Sequence, residues 1–272
     1  MSRMKVNARD TVVFLGGGRI TNALLAGLRL ANYNQPIVVH DHNAHKLRHL
    51  KREYDVQVES DLQRAVAQAH ILIVAVRPDS VRELLHRIGQ PHARPAIAVS
   101  LAAGIALKNL RLWMGFPTRW ARAMPSPVAR TGRGLTAITF DRGLPATARR
   151  EIQDFFLQVG TTLEIPESKL DAFTVTYSSS HGYHALAALA KAAQKLGLDR
   201  KTALTAAAHA LADGVLAWRE SDISLDALLN EAATPGGIAA ATMAKMDQSG
   251  YKRSVNLGLQ AGMDRAKKNA KR

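Results

Sequence analysis

Cysteine is absent from the 272-residue sequence, which excludes disulfide bonds, a thiolate metal site and a cysteine nucleophile. Aromatic residues are scarce at 5%, yet 47% of the residues are hydrophobic, so aliphatic side chains can form a full core. No apolar run reaches 18 residues, and we expect no membrane-spanning helix. The first five residues, Met1–Lys5, do not resemble the apolar centre of a signal peptide, so a cytoplasmic protein is predicted.

Acidic residues are few, with 22 Asp and Glu against 37 Lys and Arg, which gives a net charge of +15. Such a charge is compatible with nucleic-acid binding. The basic residues are spread along the chain, however, with one short cluster at Arg265–Arg272. No helix-turn-helix pattern, zinc-ligand spacing or RNA-binding aromatic motif accompanies them. We expect a solvated basic surface that attracts anionic ligands, and no nucleic acid as the main partner.

Three consecutive glycines mark the most informative stretch. Val12–Leu15 has the composition of a buried strand, Gly16, Gly17 and Gly18 follow at once, and a helical pattern begins at Arg19 and Ile20. A strand, a glycine turn and a helix N-terminus together predict a site for the pyrophosphate of a dinucleotide. An ordinary turn that uses glycine only for its backbone angles is the alternative.

The second predicted strand, Ile37–His40, ends at Asp41. An acidic residue here commonly binds the adenosine ribose and favours NAD, because it would repel the 2′-phosphate of NADP. His42, His45, Lys46 and Arg48 crowd the same place and could hold that phosphate. They could equally be the exposed face of a helix starting near Asn43. The cofactor is therefore predicted as NADPH or NADH.

Further strands alternate with helices at intervals of about 30 residues, a pattern typical of a doubly wound parallel sheet. The strands are predicted at 71–76 and 96–100, and a helix at 61–69 is predicted to be capped by Ser60. Ligands of such sheets bind at the carboxyl ends of the strands. The residues predicted there, besides the glycine turn, are Asp41, His42, Val76, Arg77, Pro78, Ala102 and Gly104.

The pattern changes after Pro166. We predict a Rossmann-type domain over residues 1–166 and an all-α domain over 167–272, with a helical segment at 170–196 and further helices to the end. Their faces are rich in alanine and apolar nearly all round, notably at 185–193 and 203–212. About 100 residues offer too little interior to bury several such helices, so we predict a homodimer or higher oligomer formed through them.

In order along the chain, these stretches resemble pyrroline-5-carboxylate reductases. The resemblance covers Phe14–Gly18, Ala69–Pro78, Val99–Ile105, Arg122–Pro125, Asp171–Thr174, Thr234–Gly237 and Ser249–Tyr251. It implies NAD(P)H-dependent reduction of the cyclic imine Δ1-pyrroline-5-carboxylate to L-proline. It also implies that Met124 and Pro125 contact the cofactor, and that substrate is bound by Ser180, Tyr183, Thr234, Pro235, Gly236 and Gly237.

Several residues depart from the family's pattern, all near the implied substrate pocket. Ser126 replaces an asparagine, Ala239 replaces a hydroxyl residue, and Tyr177–Gly182 replaces a serine- and glycine-rich helix start. His181 is new in that segment and is a candidate proton donor, or else a hydrogen-bonded helix residue. The catalytic candidates are His181, Ser179 and Thr234. No metal site is predicted, and His40, His42 and His45 are interpreted as a cofactor rim.

Other functions remain open. A β-hydroxyacid-dehydrogenase-like enzyme would need a catalytic lysine on a long helix, for which Lys191 is the candidate, although the glycines expected around it are missing. A non-enzymatic dinucleotide-binding protein would explain Ala239 and the altered serine stretch.

Overall fold

The computed structural model describes residues 11–89, 97–115 and 118–270. They divide into two compact units, one comprising residues up to 177 together with those from 262 onward, and one comprising residues 178–261. The predicted boundary after residue 166 stays a prediction. The segment Met1–Lys5, the first residue of the strand predicted at 96–100 and the last two residues of the basic terminus lie outside the described residues.

One sheet organises the first unit. Its strands are β1 Val12–Leu15, β2 Ile37–His40, β3 Gln57–Val58, β4 Ile71–Val74, β5 Ile97–Ser100, β6 Trp120–Met124, β7 Gly134–Phe140 and β8 Gly160–Glu164. They are ordered β3-β2-β1-β4-β5-β6-β7-β8. All neighbours are parallel except β6 and β7. The order β3-β2-β1-β4-β5-β6 is that of a dinucleotide-binding fold, which confirms the predicted fold class.

The helices of the first unit are α1 Arg19–Leu30, α2 Ala44–Tyr54, α3 Leu62–Ala67, α4 Pro78–Ile88, α5 Leu107–Met114, α6 Ala146–Leu157 and α7 Glu167–Thr176, with a 3₁₀ helix at Pro127–Thr131. Those that follow are α8 Ser179–Lys195, α9 Arg200–Glu220, α10 Leu225–Ala232, α11 Ile238–Gln248 and α12 Tyr251–Ala270. Within the described residues, none is long and apolar enough to cross a bilayer.

The sheet is covered on both faces, as its uninterrupted apolar strands require. Successive side chains of a strand point to opposite faces. Phe14 accordingly packs in the cluster that includes Leu24 of α1 and Phe156 of α6. Val13 packs in a second cluster with Leu85 of α4. Both faces of β1 are therefore buried, which fixes the position of the glycine turn that follows it.

Three sequence predictions were wrong in detail. Asp61, and not Ser60, caps α3, because its carboxylate accepts the backbone N–H of Arg64 at 2.8 Å. The strand predicted at 71–76 ends at Val74, where its neighbour β1 also ends. The helical segment predicted at 170–196 is two helices. The break comes at Tyr177, which leaves helical geometry, and Ser178 then caps α8 through its hydroxyl.

Candidate active site

The turn between β1 and α1 holds its shape through glycine. Gly16 has φ +113°, and a Cβ atom there would lie 2.7 Å from the carbonyl oxygen of Ala75, so a side chain is excluded twice over. Gly18 precedes α1 with no side-chain cap, which leaves N–H groups of the first helical turn free for an anion. Thr21 lies in the first turn of α1 and is buried. Its hydroxyl donates to the carbonyl of Gly16 at 2.5 Å, so this side chain supports the glycine turn.

The Asp41 carboxylate is buried and directed at the backbone. One oxygen accepts the N–H of Gly17 and the other accepts the N–H of Asn43, each at 2.8 Å. Lys46 and His42 lie 3.5 Å and 3.6 Å from the carboxylate. Burial by itself would raise the pKa of Asp41, but these hydrogen bonds and cations outweigh it and lower the pKa below 3.8. Asp41 therefore stays ionised and fastens the glycine turn to β2.

A cavity of about 880 Å³ opens at this edge of the sheet, a size typical of ligand sites. Seven predicted cofactor residues line it together: Gly16, Gly18, Arg19, Asp41, His42, Val76 and Arg77. Lys46 and Arg87 also line it. The side chains of His42 and Arg77 are 90% and 84% exposed. The cavity thus combines a buried carboxylate with a rim of accessible cations, which suits a phosphorylated ligand.

The remaining predicted cofactor residues lie outside the lining of this cavity. Gly17 is buried behind it, Ile20 packs against the core, and Pro78 is the first residue of α4. Ala102 and Gly104 follow β5, one strand beyond β4. Met124 is buried at the end of β6 and Pro125 follows it. These positions share the carboxyl edge of the parallel strands.

The predicted catalytic and substrate residues all belong to the second unit. The hydroxyls of Ser178 and Ser180 are 2.7 Å apart, and Ser179 begins α8. His181 donates its backbone N–H to the carbonyl of Ser178 at 3.0 Å. His181 and Tyr183 are exposed within the single chain. The first turn of α8 therefore presents hydroxyl and imidazole groups at an accessible surface.

The second predicted substrate segment is the turn before α11. Gly237 donates its N–H to the carbonyl of Thr234 at 2.9 Å, and Gly236 has φ +76°. The Thr234 hydroxyl donates to the carbonyl of Glu231 at 3.3 Å. Pro235 lies within the turn. No side chain caps α11 at Gly237, so the first N–H groups of that helix can receive a carboxylate.

Sequence reasoning assigned no role to Tyr177. Its hydroxyl accepts the N–H of Leu135 at 2.9 Å and lies 3.4 Å from the hydroxyl of Ser126. Ser126 is itself buried and accepts the N–H of Val128 at 3.2 Å. Ser126 and Tyr177 both differ from the family's usual residues. Two positions that differ together can be in contact, and this was the signal in the sequence that could have identified the pair. Among the described residues, no group of three His, Cys, Asp or Glu is placed to hold a metal ion.

Two family descriptions match separate parts of the chain. Residues 11–104 match "NADP oxidoreductase coenzyme F420-dependent", and residues 167–269 match "Pyrroline-5-carboxylate reductase dimerisation". A pyrroline-5-carboxylate reductase of Corynebacterium melassecola is 28% identical over 96% of this chain and 99% of its own length.

Solved structures show the same fold. A pyrroline carboxylate reductase of Plasmodium falciparum, with NADP bound, has a TM-score of 0.87 at 20% identity and covers 97% of this chain and 99% of its own. The enzyme of Streptococcus pyogenes has a TM-score of 0.88 at 22% identity and covers 96% of this chain and 100% of its own. The likeness extends over both units of the chain.

Proposed function

We propose that this chain, which belongs to the pyrroline-5-carboxylate reductase family, reduces Δ1-pyrroline-5-carboxylate to L-proline with NADPH. One observation carries the proposal: the N-terminus of α1 has no side-chain cap, and it lies with the glycine turn at a cavity that is lined by basic residues. A reductase of the family needs such a site for its nicotinamide cofactor. The cofactor supplies a hydride for the imine carbon, and a proton from the protein or from water completes the amine.

The first unit fits the phosphates of the cofactor. Gly16 lets the backbone turn without a side chain, Asp41 holds Gly17 in place, and the free N–H groups of α1 favour the pyrophosphate. The cavity can enclose a mononucleotide half, and Ala102, Gly104, Met124 and Pro125 continue along the same edge of the sheet. Most of the protein's contribution is the orientation of the two reactants.

NADPH is proposed over NADH because Asp41 is engaged elsewhere. Both of its oxygens accept backbone N–H groups at 2.8 Å, so part of the acceptor capacity of this carboxylate is already used before a ribose binds. Lys46 and Arg77 supply cations at the rim of the same cavity, which His42 also lines. A 2′-phosphate carries about −1.5 to −2 charge at neutral pH, so these cations would favour it.

The second unit is proposed to bind the imine. The first turn of α11, with Thr234, Pro235, Gly236 and Gly237, would hold the substrate carboxylate through backbone N–H groups. Ser179, Ser180 and Tyr183 would contact the ring, and His181 would supply the proton for the imine nitrogen. Accessibility of the His181 imidazole and of the α11 N-terminus supports these roles.

A homodimer or larger homo-oligomer is proposed through the C-terminal helices. The second unit leaves large apolar side chains exposed in the single chain, among them Leu196 at 88%, Ile238 at 89% and Val215 at 57%. Monomeric proteins rarely leave so many apolar side chains in water. The match of residues 167–269 to a dimerisation family supports the same conclusion. A cytoplasmic location stays a prediction.

The experiment that tests the function follows NADPH absorbance while cyclic imines are added. Five-membered pyrroline carboxylate is compared with a six-membered imine and with a 3-oxo acid. Oxidation with the five-membered carboxylate alone is expected. Lys191→Ala is made in parallel, and it should retain activity, since Lys191 has no role in imine reduction. Turnover of the 3-oxo acid that Lys191→Ala abolishes would favour the β-hydroxyacid-dehydrogenase alternative. Cofactor binding without any turnover would favour the non-enzymatic one.

A further inference from the structure

The end of α12 packs against the loop that follows β5. α12 begins at Tyr251 in the second unit, but its residues from Gly262 onward belong to the first. At Gly262 the helix lies so close to α7 that a Cβ atom would be 2.9 Å from the side chain of Val175. Small residues recur at Gly262, Ala266 and Ala270, four apart, and so share one helix face. This face is docked within the first unit.

The closest contact is made at Gly104. This residue has φ +80°, and a Cβ atom there would collide with the carbonyl oxygen of Ala266 and lie 3.0 Å from Cβ of Asn269. Ala266 is accordingly buried, at 7% exposure. Glycine is therefore required at position 104 both by the backbone angle and by the approach of α12.

Two side-chain amides hold the end of α12, one to the loop and the other to α5. Asn269 donates from its amide to the carbonyl of Ala103, and Asn109 of α5 donates from its amide to the carbonyl of Ala270, each at 3.4 Å. Both bonds are long, and they constrain the loop together with the backbone contact at Gly104. The segment 101–106 thus contacts α12 directly at Ala103 and Gly104, and α12 is in turn bonded to α5, the helix that follows the segment.

This loop lies where the cofactor is expected. It leaves the carboxyl end of β5, and Ser100 pairs with Val74, whose strand leads directly to the cavity residues Ala75, Val76 and Arg77. A loop that is already ordered loses less conformational entropy when a ligand binds. We infer that the last two turns of α12 hold the 101–106 loop in the conformation that receives the dinucleotide, an inference that rests on the proposed function. Ala266 and Asn269 are then positioning residues for the cofactor.

The test is the dissociation constant of NADPH, measured by fluorescence titration of the full chain. Asn269→Asp keeps the shape of the side chain but sets an oxygen against the carbonyl of Ala103. It should raise the dissociation constant about threefold to tenfold, as expected for one lost hydrogen bond. The kcat at saturating NADPH and the KM for the imine should stay within about twofold, since no group that contacts the imine changes. Lys268→Ala, an exposed change on the same turns of α12, is the matched control and should bind NADPH as the wild type does.

A second variant guards against poor folding of the first. Asn109→Asp removes the amide bond from the other side and should have the same effect on NADPH. In both variants, hydrogen exchange of residues 101–106 should accelerate in the absence of cofactor. Unchanged NADPH affinity with a lowered melting temperature would show a merely structural contact and overturn the inference. A wild type that binds NADPH but reduces no imine would refute the proposed reaction alone, and one that binds no NADPH would refute both.

Discussion

At the scale of single residues, Asp41 has a structural role that its position in the sequence did not indicate. The pattern of a strand followed by an acidic residue predicts a ribose contact, which stays a prediction, and the structure shows in addition that the carboxylate accepts the N–H groups of Gly17 and Asn43. His42 and Lys46 line the cavity beside it. The sequence had left undecided whether these residues bind a phosphate or form the exposed face of a helix. Sequence spacing locates such a residue but does not show where its oxygens point, because that depends on how the glycine turn folds back on β2.

Cofactor preference can be changed at Lys46. Lys46→Ala should raise the KM for NADPH about tenfold, the value of one lost charge-assisted contact, and change the KM for NADH less than twofold. Lys51→Ala, an exposed change on the same helix that does not line the cavity, is the control. Steady-state kinetics with both cofactors measures the ratio. Equal losses with NADPH and NADH would contradict the proposed 2′-phosphate contact.

The ionisation of Asp41 should be visible in the stability of the protein. Since folding lowers the pKa of Asp41 below 3.8, its contribution is fully present above that value and is lost as the pH falls through the folded-state pKa. Asp41→Asn should therefore reduce the free energy of unfolding by about 1–3 kcal/mol at pH 7 and by less at pH 3. Urea titrations at both pH values measure the difference.

The control for Asp41 is Asp61→Asn, because asparagine caps a helix about as well as aspartate. It should change the free energy of unfolding by less than about 0.5 kcal/mol at either pH. A loss for Asp41→Asn that is the same at pH 3 and pH 7 would show that the ionised carboxylate is not what stabilises the turn.

At the scale of elements, the local unit of β1, glycine turn and α1 was the easiest to predict. Its signals are all contained in Val12–Leu30: an apolar run, three glycines and a 3.6-residue period. α5 was not predicted, and the antiparallel pairing of β7 with β6 was not foreseen, because strand direction is decided by partners distant in sequence. The break at Tyr177 was also missed. It coincides with the contact of the Tyr177 hydroxyl with Leu135 and Ser126, which no local pattern encodes.

The glycine turn allows stability and binding to be separated. Gly16→Ala puts a Cβ atom 2.7 Å from a backbone oxygen at φ +113°, so we expect a loss of about 1–3 kcal/mol in unfolding free energy. At Gly18, by contrast, φ is −82°, and a Cβ atom would have no heavy atom within 4 Å, so Gly18→Ala introduces no strain. It should leave the melting temperature unchanged but weaken NADPH binding, because the methyl group stands where the pyrophosphate approaches.

Thermal unfolding and NADPH titration of the two glycine variants give both quantities. If Gly18→Ala bound NADPH as tightly as the wild type, the turn would not be the pyrophosphate site. The remaining interpretation would then be an ordinary turn between a strand and a helix.

At the scale of the whole molecule, the contrast between the two units carries the prediction of assembly. The first unit buries its apolar residues on both faces of a sheet, whereas α9 of the second unit leaves Leu204, Val215, Leu216 and Trp218 substantially exposed. The sequence indicated this through helices that are apolar nearly all round. It could not indicate which helix surfaces of two copies form the interface, since that depends on the shape of the assembled helices.

We expect the purified protein to be a dimer or larger at micromolar concentration. Leu204→Glu or Leu216→Glu should shift it toward monomer, because a charge would be buried without a partner. Thr147→Glu, on the exposed side of α6 in the first unit, should leave the mass unchanged. Analytical ultracentrifugation measures all three variants. A monomeric wild type would contradict the assembly proposed for the C-terminal helices.

The most direct measurement of the central claim traces the hydride. NADPH carrying deuterium at the transferred position of nicotinamide C4 is incubated with the enzyme and Δ1-pyrroline-5-carboxylate, and the product is analysed by mass spectrometry. We expect L-proline with one deuterium at C5, formed in equal amount to the NADPH oxidised. Oxidation of the cofactor without labelled proline, or no oxidation by a protein that binds NADPH, would contradict it.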